Sequence, residues 1–183
     1  MSIRIATEGD IPAMLEIYRP YVENTTYSFE YELPSREDFT RRFLDHTAQF
    51  PWLVWEEDGT VLGYAYAGAP WERAAYRWCT EVSIYLSPKI QGKGVGRTLY
   101  ARLEEILTRQ GYRLVYALIT SENKASLDFH YHLGYTYRAE FPGCGCKHGK
   151  WLGVTWLEKR LQPSGNPTRF PEKWTDVLQR SLI

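Results

Sequence analysis

Apolar positions follow two periods along this chain, and the switches between them lay out its elements. Ile3 to Ala6 reads as a short strand. Thr7 or Asp10 then supplies a helix cap and Pro12 sits near the helix start, ahead of Met14, Leu15, Ile17, Tyr18 and Val22 at helical spacing. Asn24 to Tyr31 is polar and aromatic without a period, which reads as loop. Ser35 before Arg36-Glu37-Asp38 caps a second helix, expected to turn Phe39, Phe43 and Leu44 inward. Trp52 to Glu56 and Val61 to Ala67 flank Asp58-Gly59, a hairpin signal. A loop with Pro70 and Trp71 leads to a strand from Trp78 to Leu86. Val95, Leu99, Leu103, Ile106 and Leu107 mark a long helix ending at Gln110-Gly111, and Leu114 to Ile119 is a buried strand. Ala125 to Leu133 is a helix closed by Gly134, and strands at Tyr135 to Phe141 and Leu152 to Leu161 surround a glycine-rich loop, 143–149.

The order is β-α-α-β-β-β-α-β-α-β-β: an α+β (α/β layered) fold, with a mixed central sheet covered by helices. At 183 residues one domain is expected, over 1–162, followed by a linker and a short appended helix at Trp174 to Leu182, together 163–183.

Composition narrows the function. Lys+Arg and Asp+Glu are 22 each, so no global basic field points to nucleic acid. No run reaches the ~18–20 apolar residues of a membrane helix, and Met1 to Ile5 lacks an apolar signal segment. Three cysteines do not form a secreted disulfide framework, so the cytoplasm is expected. Cys144-Gly145-Cys146-Lys147-His148 resembles half of a metal site, but no second Cys/His cluster completes it, so no metal is expected. The 7 Trp, 14 Tyr and 7 Phe serve either packing or an aromatic-lined pocket.

The chemistry concentrates in Ile84-Tyr85-Leu86-Ser87-Pro88-Lys89-Ile90-Gln91-Gly92-Lys93-Gly94-Val95-Gly96. A strand stops at a proline, passes through three alternating glycines and enters a helix. That order offers free backbone N–H groups and a positive dipole end to an anion. The string is neither G-x-G-x-x-G followed by a strand ending in an acid, nor a P-loop. Gln91-x-x-Gly94-x-Gly96 resembles the pyrophosphate loop of the GNAT superfamily of acyl-CoA-dependent N-acetyltransferases, and the element order over 3–161 matches that fold.

Acetyl transfer to an amine needs a base for the ammonium, stabilisation of the carbonyl oxygen and a proton for the departing thiolate. Glu81 lies on the strand entering the loop; if Val82, Ile84 and Leu86 face one side, Glu81, Ser83 and Tyr85 face the other. Between Asn123 and Gly134-Tyr135, many GNAT enzymes carry a Tyr as the thiolate's acid. His130 stands in that place, with Ser126 for an Ala, and Tyr131 one residue on is the alternative donor. A His titrating near neutrality could exchange protons there.

Separated matches narrow the resemblance: Pro51-Trp52-Leu53-Val54, Gly63 to Gly68, Ala75-Tyr76-Arg77-Trp78, Thr80-Glu81, His130 before Gly134-Tyr135, and Lys147-His148-Gly149-Lys150-Trp151. Together they look like the phosphinothricin (bialaphos resistance) acetyltransferase branch. The resemblance implies Glu81 and His130 as the catalytic pair. It implies acetyl-CoA held by Ile84, Tyr85, Leu86, Gln91, Gly92, Lys93, Gly94, Val95, Gly96, Arg97, Asn123 and Ser126. For the acceptor, a small amino-acid-like amine of the phosphinothricin, methionine sulfone or sulfoximine type, it implies Arg73, Tyr76 and Phe29. It also implies a homodimer. Two other readings remain open from the residues: a GNAT enzyme for another amine (a polyamine, an aminoglycoside, a protein N-terminus), and a non-catalytic acyl-CoA-binding module.

Overall fold

The computed structural model describes residues 1–163, 165 and 169–180. Part of the expected linker (Ser164 and 166–168), the end of the expected last helix (181–182) and residue 183 lie outside the described residues. Seven strands form one sheet in the order β1-β2-β3-β4-β5-β7-β6. They are β1 (Ser2–Ile5), β2 (Trp52–Glu57), β3 (Thr60–Gly68), β4 (Cys79–Leu86), β5 (Leu114–Thr120), β6 (Thr136–Lys147) and β7 (Lys150–Arg160). Neighbours are antiparallel except β4 and β5, which run parallel through the crossover helix α3 (Val95–Gln110).

Helices cover both faces. On one, α1 (Ile11–Glu23) and α2 (Arg36–Thr47) bury Met14, Val22, Phe39 and Phe43 against Trp52, Val54 and Tyr64. On the other, α3, α4 (Lys124–His132) and α5 (Trp174–Gln179) cover Leu53, Ala65, Val82, Val115 and Leu157. Leu99 and Leu103 of α3 are fully buried there, each worth about 1.5–3 kcal/mol of apolar transfer. The alternation along β4 is as expected: Val82, Ile84 and Leu86 belong to the α3 side, and Tyr85 to the α1 side.

Two expectations are corrected. Leu44 does not face inward; its exposure is 47%, because the stripe of α2 runs through Phe39 and Phe43 and Leu44 lies about 100° around the helix from Phe43. The segment 143–149 is not a loop, because β6 continues to Lys147. An irregularity between Phe141 and Gly145 absorbs Pro142, which has no N–H to give the ladder. The reversal to β7 is made by His148 and Gly149 alone, at φ 49° and 72°, the left-handed pair of a two-residue hairpin.

Candidate active site

The ladder between β4 and β5 runs only from Cys79 opposite Leu114 to Glu81 opposite Tyr116, although β4 continues to Leu86 and β5 to Thr120. Past Glu81 a slot opens in the sheet. Alternate residues of a strand aim their backbone groups at opposite edges. Ser87 donates its N–H to Leu62 on the β3 side, so Leu86 and Ile84 aim theirs at the slot. The Tyr21 hydroxyl satisfies both groups of Leu86, donating to its carbonyl at 2.7 Å and accepting from its N–H at 3.2 Å. The groups of Ile84 face the slot itself.

A narrow space of about 80 Å³ fills the divergence, walled by Val82, Ser83, Tyr85, Tyr100, Ala117, Thr120 and His130 among others. It shares Tyr21, Tyr27, Ile84, Asn123 and Ser126 with a wider cleft of about 380 Å³ that leads to Gln91, Gly92 and Phe129. The glycine loop is the rim of this cleft. Gln91 Nε2 donates to the Tyr21 hydroxyl (3.1 Å) and to Leu86 O (3.2 Å), tying the loop to the strand end.

The three glycines are there for different reasons. Gly92 and Gly94 have φ of 72° and 80°, and a Cβ on either would meet nothing within 4 Å. Gly94 is also the left-handed residue before α3, so the first N–H groups of α3, which have no carbonyl partner within the helix, lie beside it. Gly96 serves packing: a Cβ there would come within 3.2 Å of the Phe129 ring and 3.4 Å of Ile84. Val95 is buried in the core and can offer a ligand only its backbone. Lys93 and Arg97 stand exposed on either side. Open amides, clear approach and two cations fit a diphosphate.

Glu81 sits at the vertex of the divergence, on the α1 side with Ser83 and Tyr85; burial pushes its carboxyl above the ordinary range. His130 closes the slot from the α3 side. It is 2% exposed, whereas Tyr131 is 44% exposed and away from the slot. Nδ1 of His130 lies 2.7 Å from the Ser126 carbonyl, an acceptor only, so that nitrogen carries the proton. Nε2 then accepts from the Tyr100 hydroxyl at 3.2 Å. Burial lowers His130 to about 4, partly offset by the Ser126 bond. The expected titration near neutrality is thus corrected: this imidazole is neutral at working pH. Asn123 caps α4, its side chain accepting from the Ser126 N–H at 3.1 Å.

The other expected residues lie around this centre. Arg73 is exposed and opens the short turn Ala74–Tyr76. Tyr76 packs on Trp71 at 4.7 Å between ring centroids, and Trp71 on Tyr116 at 5.6 Å, the residue opposite Glu81. The loop therefore folds over the Glu81 face. Phe29 is farther along the same side, its ring over Gly145 of β6. Tyr21, Tyr27, Tyr100 and Thr120 also wall the slot, although the sequence pattern singled none of them out. Tyr21 and Tyr100 lie inside the helical segments without a mark of their own, and Tyr27 sits in an aperiodic loop. Among the described residues no group of three or more His, Cys, Asp or Glu side chains could hold a metal, and no helix is long and apolar enough to cross a membrane.

The parallel pair thus opens at its carboxyl end onto a glycine rim, and comparison with known proteins says which family is built this way. Residues 3–156 match the family model described as an acetyltransferase (GNAT) domain. The chain belongs to the GNAT acetyltransferase family. Within it, the chain is 36% identical over 168 residues to the phosphinothricin N-acetyltransferase of Streptomyces viridochromogenes, covering 91% of each. It is 36% identical over 171 residues to the L-methionine sulfoximine/L-methionine sulfone acetyltransferase of Salmonella typhimurium, covering 91% of this chain and 98% of that protein. A GNAT superfamily phosphinothricin acetyltransferase from Sinorhizobium meliloti, solved with acetyl-CoA, superposes with a TM-score of 0.87 at 35% identity, covering 92% and 93% of the two chains.

Proposed function

We propose that this enzyme transfers the acetyl group of acetyl-CoA to the α-amino group of a small amino-acid-like acceptor of the phosphinothricin, methionine sulfone or methionine sulfoximine type. The observation that carries the reading is the slot that opens past Glu81, a half-buried carboxyl whose value burial raises, into a cleft with the glycine loop at its rim. The relatives named for those acceptors support the substrate class.

In this reading the diphosphate lies on the amides of Gly92, Gly94, Val95 and Gly96 between the Lys93 and Arg97 side chains, and the pantetheine arm runs past Ile84, Tyr85, Leu86, Asn123 and Ser126. The thioester carbonyl lies against the backbone of Ile84, whose N–H steadies the oxygen as it gains charge. The amine arrives from the Glu81 face and gives a proton to that carboxylate, directly or through a water. Nitrogen then bonds to the acetyl carbon and the C–S bond breaks, with the sulfur departing on the His130 side. A neutral imidazole holds no spare proton, so the proton for sulfur comes from the acceptor: the attacking nitrogen sheds its second proton as the amide forms, and that proton ends on the departing thiolate, directly or by way of the His130 ring, which finishes neutral as it began. Arg73 and Tyr76 hold the acceptor's carboxylate and tetrahedral head, with Phe29 as a wall.

We also propose a cytoplasmic homodimer of a catalytic domain, 1–162, with an appended tail. Exposed Tyr137, Phe141 and Trp151 on β6 and β7 support a subunit contact, and light scattering in solution tests it. Thiol release from acetyl-CoA in the presence of L-phosphinothricin, L-methionine sulfone, spermidine, an aminoglycoside and an Ala-headed peptide tests the activity. Release with the two amino acids alone is expected. Preference for another amine would replace the acceptor class, and CoA binding without release would return the chain to a binding module.

A further inference from the structure

Lys147, at the end of β6, is 1% exposed. Its two hydrogen-bond partners are main-chain oxygens: Nζ donates to Val22 O at 2.6 Å and to Ser28 O at 2.7 Å. A buried cation is costly unless its donors are used. Val22 lies in the last turn of α1, where free carbonyls and the negative dipole end receive a cation. Lys147 therefore ties the end of α1 to the loop that follows it. Ser28 is held a second time, its hydroxyl 2.6 Å from that of Tyr18.

The neighbouring positions of β6 continue the contact. Phe29 lies against Gly145, where a Cβ would stand 2.3 Å from its ring, and Tyr31 donates its hydroxyl to Cys146 O. From β5, the Thr120 hydroxyl donates to Thr26 O at 3.0 Å. Between these anchors, Tyr27 enters both parts of the cleft.

We propose that Lys147 and Gly145 are positioning residues for the reaction: β6 ends in a template that sets the 26–31 loop, with Gly145 placing Phe29 at the acceptor and Lys147 placing Tyr27 at the acyl-CoA slot. The inference rests on the proposed acetyl transfer. It explains why a buried ammonium and a residue without a side chain stand two apart on a strand that takes no part in the chemistry.

The test is steady-state kinetics with acetyl-CoA and L-methionine sulfone, together with chymotryptic cleavage of the folded proteins within 26–31. Gly145→Ala should raise KM for the amine about tenfold and leave KM for acetyl-CoA within about twofold. Phe29→Ala should raise the amine KM similarly, and Gly145→Ala in that background should add nothing, since the ring it displaces is gone. Lys147→Met should raise both KM values and speed cleavage of the loop. Unchanged amine KM in Gly145→Ala, or losses that add in the double variant, would overturn the proposal, as would wild-type kinetics in Lys147→Met. If Lys147→Met does not fold, the Gly145 and Phe29 cycle decides. If the wild-type enzyme acetylates none of the amines, the functional reading has failed, and cleavage then decides the template separately: rates unchanged in Gly145→Ala and Lys147→Met would overturn it.

Discussion

The neutral state of His130 has a measurable consequence for stability. Its ordinary value is 6.5, and burial in the folded protein lowers it to about 4. The unfolded chain takes up the proton as pH falls through 6.5, while the folded chain resists until about 4. The stabilisation is therefore complete at neutral pH and is lost as pH falls across that interval. A shift from 6.5 to about 4, at about 1.4 kcal/mol per pH unit, amounts to about 3 kcal/mol, of which about 2 kcal/mol is gone by about pH 5. Both partners of the ring, Ser126 O and the Tyr100 hydroxyl, are internal, so solvent screening does not reduce this much. The perturbation is His130→Phe, compared with the wild type by urea unfolding at several pH values. The variant is less stable at pH 7, because two polar groups lose their partner, but the gap should narrow by about 2 kcal/mol at about pH 5. Glu81 and the other carboxyls titrate in both proteins and cancel in the difference. Parallel stability curves for the two proteins between pH 7 and 5 would refute the burial argument, and with it the neutral state of the His130 imidazole.

Three further outcomes are expected. Glu81→Gln should cut kcat at least about a hundredfold, and in the wild type activity should fall as pH drops through the raised value of the Glu81 carboxyl, a limb set by burial; full activity in Glu81→Gln would remove it as the base. Gly94→Asp should weaken acetyl-CoA binding by calorimetry, whereas Gly96→Ala should instead cost about 1 kcal/mol of folding stability through Phe129; equal CoA affinity in folded Gly94→Asp would sink the rim as the diphosphate site. Arg73→Ala should raise the amine KM about ten- to hundredfold with acetyl-CoA KM nearly unchanged, and equal effects on both would move Arg73 to the cofactor cleft.

Most of this architecture is legible in the residues because the strongest signals are local. Asp58-Gly59 makes the hairpin it announces, with φ of 49° and 75°; Ser35 caps α2 by accepting from the Asp38 N–H. The glycine rim and the alternation of β4 place Glu81 and Ile84 without any long-range information. What the pattern lacks is tertiary. Nothing local shows that β4 and β5 part at Glu81, because their pairing depends on where α3 returns the chain. Proline and glycines at 142–145 resemble a loop until β7 pairs with them across an irregularity. Tyr21 and Tyr100 carry the helical spacing of inward residues, yet the half-buried Tyr21 and the core residue Tyr100 both wall the slot. The sequence marks Lys147 only as part of two short motifs; its burial could not be read there, since its acceptors lie more than a hundred residues earlier in the chain.

The central claim is the identity of the acceptor and the atom acetylated. The direct measurement is a one-pot competition in which the purified enzyme and acetyl-CoA meet equal concentrations of L-phosphinothricin, L-methionine sulfone, spermidine, an aminoglycoside and an Ala-headed peptide, with products assigned by mass and by NMR of the acetylated nitrogen. The account predicts that acetyl appears on the α-amino groups of the two amino acids and that both products disappear in Glu81→Gln. Acetyl on the polyamine, aminoglycoside or peptide in preference to the amino acids would contradict it.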